Sequence, residues 1–333
     1  MSKRTRYFVM SAVAFLAVGL TTGLVASFMG LSVPVFSRAA GPDELQYVPS
    51  NAAVVAYANV REVMNSEFRQ RFRQLEPTSQ ERDEFEQKTG INIDTDIDTI
   101  VAAVMPRIDG ATEWDPEGSM VIVARGRFQQ PRLEALALEH GGKVEEYSGK
   151  RLLTHSNERA GKHDMAVAFL DADLVAVGGY QAVKNSIDAS TRGVNVVSNN
   201  DMMQQINQLD ASNAWAVGRF DALAREARLP SEIQAQVPAI QWFSAAGHIN
   251  GGISGVFKAE TRDKESARNL RDVVQGFLAL AKMQAGARPE LKAMVDSLQL
   301  QADDTSVALA FEVPSEVLDA LEQLAKSKGH GLQ

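Results

Sequence analysis

SMVIVARGRFQQPRLEALALEHGG, residues 119–142, decides the fold class. Ser119–Arg125 is a short apolar run rich in β-branched residues, the composition of a buried strand. Pro131–His140 reads as a helix, because proline suits a first helical turn and Gly141-Gly142 supplies a stop. The chain then turns back on itself. Lys143–Tyr147 and Arg151–His155 pair around Ser148-Gly149-Lys150. Met165–Leu170 and Leu174–Val177 pair around Asp171-Ala172-Asp173, and Gly178-Gly179 leads into a helix over Tyr180–Ala189. Tight turns between strands give antiparallel pairing. The predicted class is therefore α+β: mainly antiparallel sheets with helices packed on one face.

Working outward, the same plan recurs toward the C-terminus. GISGVFKAETRDKESARNLRDVVQGFL (252–278), then SLQLQADDTSVALAFEVPSEVLDALEQL (297–324), is again strand, helix, strands, helix. MAVAFLDAD (165–173) and VALAFEVPS (307–315) are similar as text. The pattern predicts two tandem related α+β units, over 49–190 and 191–328. In the first, Ala52–Asn59 is a strand and Val60–Leu75 a helix, with an apolar stripe through Val63, Phe68, Phe72 and Leu75. Ser79–Thr89 is a second helix, ending at Gly90. Asp201–Leu209 is a helix and Ala214–Phe220 a strand. Ile240–Ile249 and Gly252–Glu260 form a hairpin around Asn250-Gly251, a strong short-range hairpin signal. Helix Asp263–Ala285 directs Ala267, Leu270, Val274, Phe277 and Ala281 inward. Ser297–Gln301 and Ser306–Glu312 turn at Asp303-Asp304. Ser315–Lys326 is a closing helix with Leu318, Leu321 and Leu324 on its apolar side, and 329–333 is a tail.

Ahead of this body stands YFVMSAVAFLAVGLTTGLVASFM, residues 7–29, which holds no charge and no proline. At about 1.5 Å per residue it reaches about 34 Å as a helix, enough to cross a hydrocarbon core of about 30 Å. Its apolar contacts with lipid would come from Tyr7, Phe8, Phe15, Leu16, Leu20, Leu24 and Phe28. Lys3, Arg4 and Arg6 precede it, which places residues 1–6 in the cytoplasm and the body outside. Residues 30–48 are a spacer, since Pro34, Gly41 and Pro42 interrupt regular structure. The expected address is the bacterial inner membrane: a single pass, with the body periplasmic or otherwise extracytoplasmic. The alternative is secretion after signal cleavage near Ala39, at the small-x-small site Ser37-Arg38-Ala39, although a signal peptide's apolar region is normally about 7–15 residues. Gly19 and Gly23 have the small-xxx-small spacing that lets membrane helices approach, but glycine is frequent in such helices anyway.

Composition narrows the function classes. The chain has 333 residues, 45% hydrophobic and 23% charged, which is globular. Net charge is −8, and residues 1–38 carry four basic residues and no acid, so the body is more acidic than the whole. Such a body repels nucleic acid. There is no cysteine, which removes disulfides, thiolate metal sites, a cysteine nucleophile and a lipid-anchor cysteine together. No Asn-x-Ser/Thr sequon occurs.

Motifs of chemistry fail on inspection. Asp94-Thr-Asp96-Ile-Asp98 begins like an EF-hand loop but lacks its glycine and closing glutamate, and reads as helix capping and a lead into a strand. None of His140, His155, His163, His248 and His330 falls in a metal-ligand spacing. Gly161-Lys162-His163 lacks the Ser/Thr of a phosphate-binding loop, and Gly252-Ile253-Ser254-Gly255 lacks the strand-to-helix setting of a nucleophile elbow. Glu145, Glu146, Asp171 and Asp173 read as solvating residues at strand turns. Trp215 and Trp242 read as core or sheet-packing residues, and Trp114 as a loop residue that could touch a bilayer or partner. No catalytic, cofactor-binding or metal-ligating residue is expected.

YVPSNAAVVAYANV (47–60), GINIDTDIDTIVAAV (90–104) and VAFLDADLVAVG (167–178), following a membrane segment, resemble families of bacterial membrane-anchored exported proteins of unknown function. The resemblance spans residues 46–325 at the level of pattern and transfers no site residue. The reading it leaves is a membrane-anchored, non-enzymatic binding or scaffolding module with an envelope protein as partner. A carrier or sensor of an apolar ligand such as lipid, or a hydrolase with a site of scattered residues, are the alternatives.

Overall fold

The structure, a computed structural model, describes residues 41–73, 80–106, 118–155, 165–209, 212–220, 239–285, 289–314 and 317–319. They form a mixed fold of helices and antiparallel sheet, divided into two compact units. The first is built from residues 41–64 and 80–209, the second from 65–73 and 212–319. The expected anchor residues Tyr7, Phe8, Phe15, Leu16, Leu20, Leu24 and Phe28 lie outside the described residues, as do Trp114, His163, His330 and Gly161-Lys162. Among the described residues no helix is long and apolar enough to cross a membrane.

The first unit contains strands β1 (Val54–Asn59), β2 (Ile97–Val104), β3 (Met120–Gly126), β4 (Lys143–Tyr147), β5 (Lys150–His155), β6 (Met165–Asp171) and β7 (Leu174–Gly179). Their order across the sheet is β1-β2-β3-β7-β6-β5-β4, with every neighbouring pair antiparallel. Helix α1 spans Val60–Asn65; the second unit's first helix, α2, spans Glu67–Arg73. Helices α3 (Gln80–Thr89), α4 (Ile93–Asp96), α5 (Gln130–Glu139), α6 (Tyr180–Arg192) and α7 (Asn200–Asn207) complete the first unit. Leu133 and Ala137 of α5 pack on Ala124, Leu153, Phe169 and Val175. Successive strand residues point to opposite faces. Yet Val123, Ala168 and Ala176 are as buried as their neighbours Ala124, Phe169 and Val175. Both faces of β3, β6 and β7 are therefore covered, where the sequence pattern suggested a single helix-bearing face. Helix α6, with Val183 and Ile187 buried, packs against β3, β6 and β7.

Several boundaries differ from the sequence expectation for local reasons. The helix expected over Val60–Leu75 is interrupted at Ser66. There the Ser66 hydroxyl caps the Arg69 amide at 3.1 Å, and the Phe68 amide donates to the Asn250 carbonyl at 2.8 Å. The break coincides with the chain's passage from the first unit to the second. Helix α4 is capped not by aspartate but by Asn92, whose side-chain oxygen accepts from the Asp94 amide at 3.0 Å. Gly90 does end α3, with φ of +73°. Gly178 and Gly179 belong to β7 rather than to a lead-in loop. A Cβ at Gly178 would sit 2.2 Å from the Met120 carbonyl oxygen, so only glycine lets β7 lie this close to the strand beside it.

The spacer also ends earlier than expected. Asp43–Tyr47 forms a 3-10 turn, started by the Leu45 amide donating to the Pro42 carbonyl at 3.0 Å. Leu45 and Val48 are fully buried. The Ser186 hydroxyl on α6 donates to the Tyr47 carbonyl at 2.7 Å, and the Val196 amide to the Val48 carbonyl at 2.8 Å. Residues from Asp43 on are part of the folded body.

The second unit contains β8 (Ala214–Arg219), β9 (Ile240–Ile249), β10 (Ile253–Thr261), β11 (Gln299–Ala302) and β12 (Ser306–Glu312), in the order β8-β9-β10-β12-β11, again antiparallel throughout. Helix α8 spans Lys264–Ala285 and α9 spans Pro289–Asp296. The β9–β10 hairpin forms where Asn250-Gly251 predicted it, but the turn is another kind. Ile249 pairs with Ile253, leaving three loop residues, and neither Asn250 nor Gly251 has a positive φ. The two-residue type I′ turn that favours Asn-Gly needs both positive. The closing helix is described only at 317–319, where Leu318 is buried.

Candidate interaction surface

Helix α8 has a firmly set beginning. The Asp263 carboxylate accepts from the Ser266 amide and from the Ser266 hydroxyl, each at 2.8 Å, and Arg262 lies 3.1 Å away. These contacts, the Ser266 amide first, hold the Asp263 carboxyl down at about 2. A carboxyl depressed in the folded state stabilises above its unfolded pKa of about 3.9, and that contribution disappears as pH falls through the folded value. Protection of the Ser266 and Ala267 amides from hydrogen exchange, taken relative to the intrinsic rate at each pH, should therefore fall between about pH 4 and pH 2, and Asp263→Asn should shrink that acid step. An acid step of equal size in the variant would show that Asp263 is not its source.

The helix packs against β10, β11, β12 and α9. Its fully buried positions are Ser266, Ala267 and Ala285, all small. Phe277, expected to point inward with Ala267 and Val274, is instead 51% exposed; Leu280 is 54% and Met283 79% exposed. At about 100° per residue, Val273, Phe277, Leu280 and Met283 fall within an arc of roughly 120°, and the buried Ala267 and Ala285 lie outside it. Phe277 stands at the margin of the inward stripe, so a small rotation of the helix exposes it. From Val273 to Ala285 the sequence VVQGFLALAKMQA contains a single charge, Lys282, and no acid. A helix that is apolar on most of its circumference is ordinarily buried. Here three of its largest side chains face outward. In the same unit Phe257 on β10 is 43% exposed and stacks on Phe311 at 6.0 Å between ring centres.

The first unit offers an open groove of about 390 Å³ between Pro49–Asn51 and the end of α6. Asp188 in its wall accepts from the Tyr147 hydroxyl at 3.0 Å and pairs with Arg192 at 3.5 Å. The groove is open, with these carboxylate and guanidinium groups at its edge.

The carboxylates singled out in the sequence are not gathered into one site. Asp96 faces Arg127 at 2.8 Å, and Asp98 pairs with Arg61. Burial pushes the Asp96 carboxyl up, but the Asn92 amide and the Arg127 guanidinium outweigh it and hold it below the usual carboxylate range. Asp173 accepts from Arg125, Asp171 accepts from the Ala172 amide, and Glu145 and Glu146 are exposed on β4. Among the described residues no three His, Asp or Glu side chains are placed to hold a metal. His140 and His155 are exposed on separate elements, and His248 is half-buried in β9. Trp215 is fully buried and Trp242 half-buried.

One cluster was not foreseen. Glu44, only 3% exposed, accepts from Arg125 Nε at 2.6 Å and from the Thr99 hydroxyl at 3.0 Å. Arg125 also donates to Asp173 at 2.7 Å. Burial works against the Arg125 charge, yet Glu44 and Asp173 raise its pKa above the ordinary arginine value. This cluster fixes Asp43–Tyr47 to β2 and β3 and is structural. Nothing in the sequence around Glu44 signals it, because Thr99 and Arg125 lie 55 and 81 residues away.

The chain matches no protein-family model and no curated protein. A solved structure described as "Structure of crystal form I of TP0453" is similar over 86% of this chain and 98% of that one, with a TM-score of 0.45 and 10% identity. A likeness of that size carries no argument about function.

Proposed function

We propose that this is a membrane-anchored extracytoplasmic protein of the bacterial envelope, acting at the membrane by binding or scaffolding rather than by catalysis. The observation that carries the reading is the outward apolar side of α8. An exposed apolar face of this kind on a folded body marks a contact surface. The anchor over residues 7–29 supplies the address, and the resemblance to exported membrane-anchored families points the same way. The polar clusters described above are engaged in ion pairs that stabilise the fold, which favours binding over a hydrolytic site. An enclosed lipid would need a closed cavity, and the groove beside α6 is open.

The body reads as two tandem related units. In the first, β1, β2 and β3 run in order, a helix follows, and β7 returns to pair with β3 beside β6. In the second, β8, β9 and β10 run in order, α8 follows, and β12 returns to pair with β10 beside β11. On this plan β12 corresponds to β7, whereas the textual likeness set β12 against β6. Hairpin β4–β5 is then an addition to the first unit.

Intact-mass measurement of the protein purified from membranes tests the address. A mass that includes residues 7–29, in the membrane fraction, is expected. A mature protein beginning at Ala40 and released in soluble form would overturn it.

A further inference from the structure

We infer that β4, an outer strand of the first unit's sheet, pairs antiparallel with the β4 of a second copy of the chain, in the register that sets Val144 opposite Val144. The inference adds self-association to the binding reading above and does not depend on where the N-terminal segment lies.

Among the described residues β4 pairs with β5 alone. Ser148 and Gly149, with φ of +50° and +74°, make a two-residue turn, so Tyr147 and Lys150 close the hairpin as a facing pair. From that pair the backbone groups alternate in direction. Lys143, Glu145 and Tyr147 turn theirs to β5, and Val144 and Glu146 turn theirs outward. Such a row is a template for another strand. Gly142 already gives its amide to the Ala137 carbonyl at 2.8 Å, so the available ladder is short.

Charge selects both the occupant and the register. Lys143 and Glu145 are exposed, two residues apart and therefore on one face. About a two-fold axis at Val144, Lys143 of each copy stands opposite Glu145 of the other, which gives two opposite-charge cross-strand pairs. An axis at Lys143 sets lysine against lysine, and one at Glu145 or Glu146 sets glutamate against glutamate. Each of these like-charge oppositions destabilises a ladder. An axis at Tyr147 carries the partner past the turn and off the strand. Charges on an edge ordinarily keep other strands away. Here one register escapes that penalty, and a second copy carries the matching alternation by construction. Pairing uses up the edge, so assembly closes at two copies instead of growing into a filament. The ladder buries less than the roughly 800 Å² per partner of a standard interface, so the association is weak and is best read by covalent trapping.

The cysteine-free chain makes trapping specific. Full-length Val144→Cys in detergent micelles, oxidised with copper phenanthroline, is expected to give a disulfide-linked dimer. Opposed hydrogen-bonded residues have Cα atoms about 5.5 Å apart, inside the disulfide range of about 4.4–6.8 Å. Glu146→Cys, on the same face, is the control, because in this register its counterpart is about 13 Å away. Adding Lys143→Glu to Val144→Cys should slow trapping about ten-fold, since both cross-strand pairs become like-charged. Adding Glu145→Lys as well should restore it, and that recovery excludes misfolding as the cause of the loss. Val144 is half-buried, so a second trap uses exposed positions only. Mixed Lys143→Cys and Glu145→Cys chains should give the heterodimer faster than either homodimer. Failure of both traps, equal trapping at 144 and 146, a faster Glu145→Cys homodimer, or trapping indifferent to the charge reversals would each overturn the pairing.

Discussion

Replacing Trp215 with alanine should lower the stability of the second unit by about 4 kcal/mol. The indole is fully buried in β8, whose residues Ala214–Gly218 are all buried. Register explains why it fits. Trp215 pairs with Ala246 on β9, Ala246 with Val256 on β10, and Val256 with Ala310 on β12. One face of four strands thus carries one large side chain followed by small ones, and the indole fills the space they leave. Alanine would remove both the transfer free energy and the contacts, leaving a cavity that backbone-fixed strands cannot close. Urea unfolding followed by circular dichroism measures the effect, with the midpoint falling and the slope unchanged. Trp215→Phe should recover a good part of the loss, since an aromatic ring refills much of the volume. An alanine variant that unfolds with the parent midpoint would show that the strands collapse onto the vacancy.

What could be read in advance follows from the range of the forces involved. Mixed helix and antiparallel strand was legible because alternation, β-branched runs and the Gly-Gly and Asp-rich turns act over a few residues. Asn250-Gly251 marked a hairpin correctly but not its turn, since the three-residue loop is set by the Ile249–Ile253 register and by the Phe68 amide donating to the Asn250 carbonyl from a distant element. Ser66 broke a stripe that looked continuous, because a serine hydroxyl can serve a cap as readily as an exposed helix face. Phe277 was misplaced for a geometric reason. A wide apolar arc does not state which part meets the sheet, and the small buried residues Ala267 and Ala285 decide it. The candidate surface was therefore invisible as a surface, although every residue of it was visible as apolar. The spacer reading failed at Asp43–Tyr47 because its partners, on β2, β3 and α6, are remote in sequence.

Those remote partners make Glu44→Ala the second consequential substitution, with an expected loss of about 3 kcal/mol in the first unit. Glu44 stands over Thr99 and Arg125, which face each other across β2 and β3. Its carboxylate takes one hydrogen bond from each. Removing it strands a partly buried guanidinium, and breaking a buried pair from one side costs about 3–5 kcal/mol. The lower end applies because Arg125 keeps Asp173 and is 30% exposed, so water reaches it. Glu44→Gln should cost less, about 1–2 kcal/mol, since the amide oxygen still accepts but the charge is gone. The damage should also be local. The fully buried Leu45 and Val48 are held near the Arg125 cluster, and their amides should exchange faster in Glu44→Ala than those of β6 and β7. Hydrogen exchange resolved by residue reads this directly. If Leu45 and Val48 keep their protection while the midpoint falls, the pair stabilises the sheet and not the docking of the turn. If neither changes, the ion pair contributes nothing net, and apolar burial of Leu45 and Val48 alone secures Asp43–Tyr47 against the sheet.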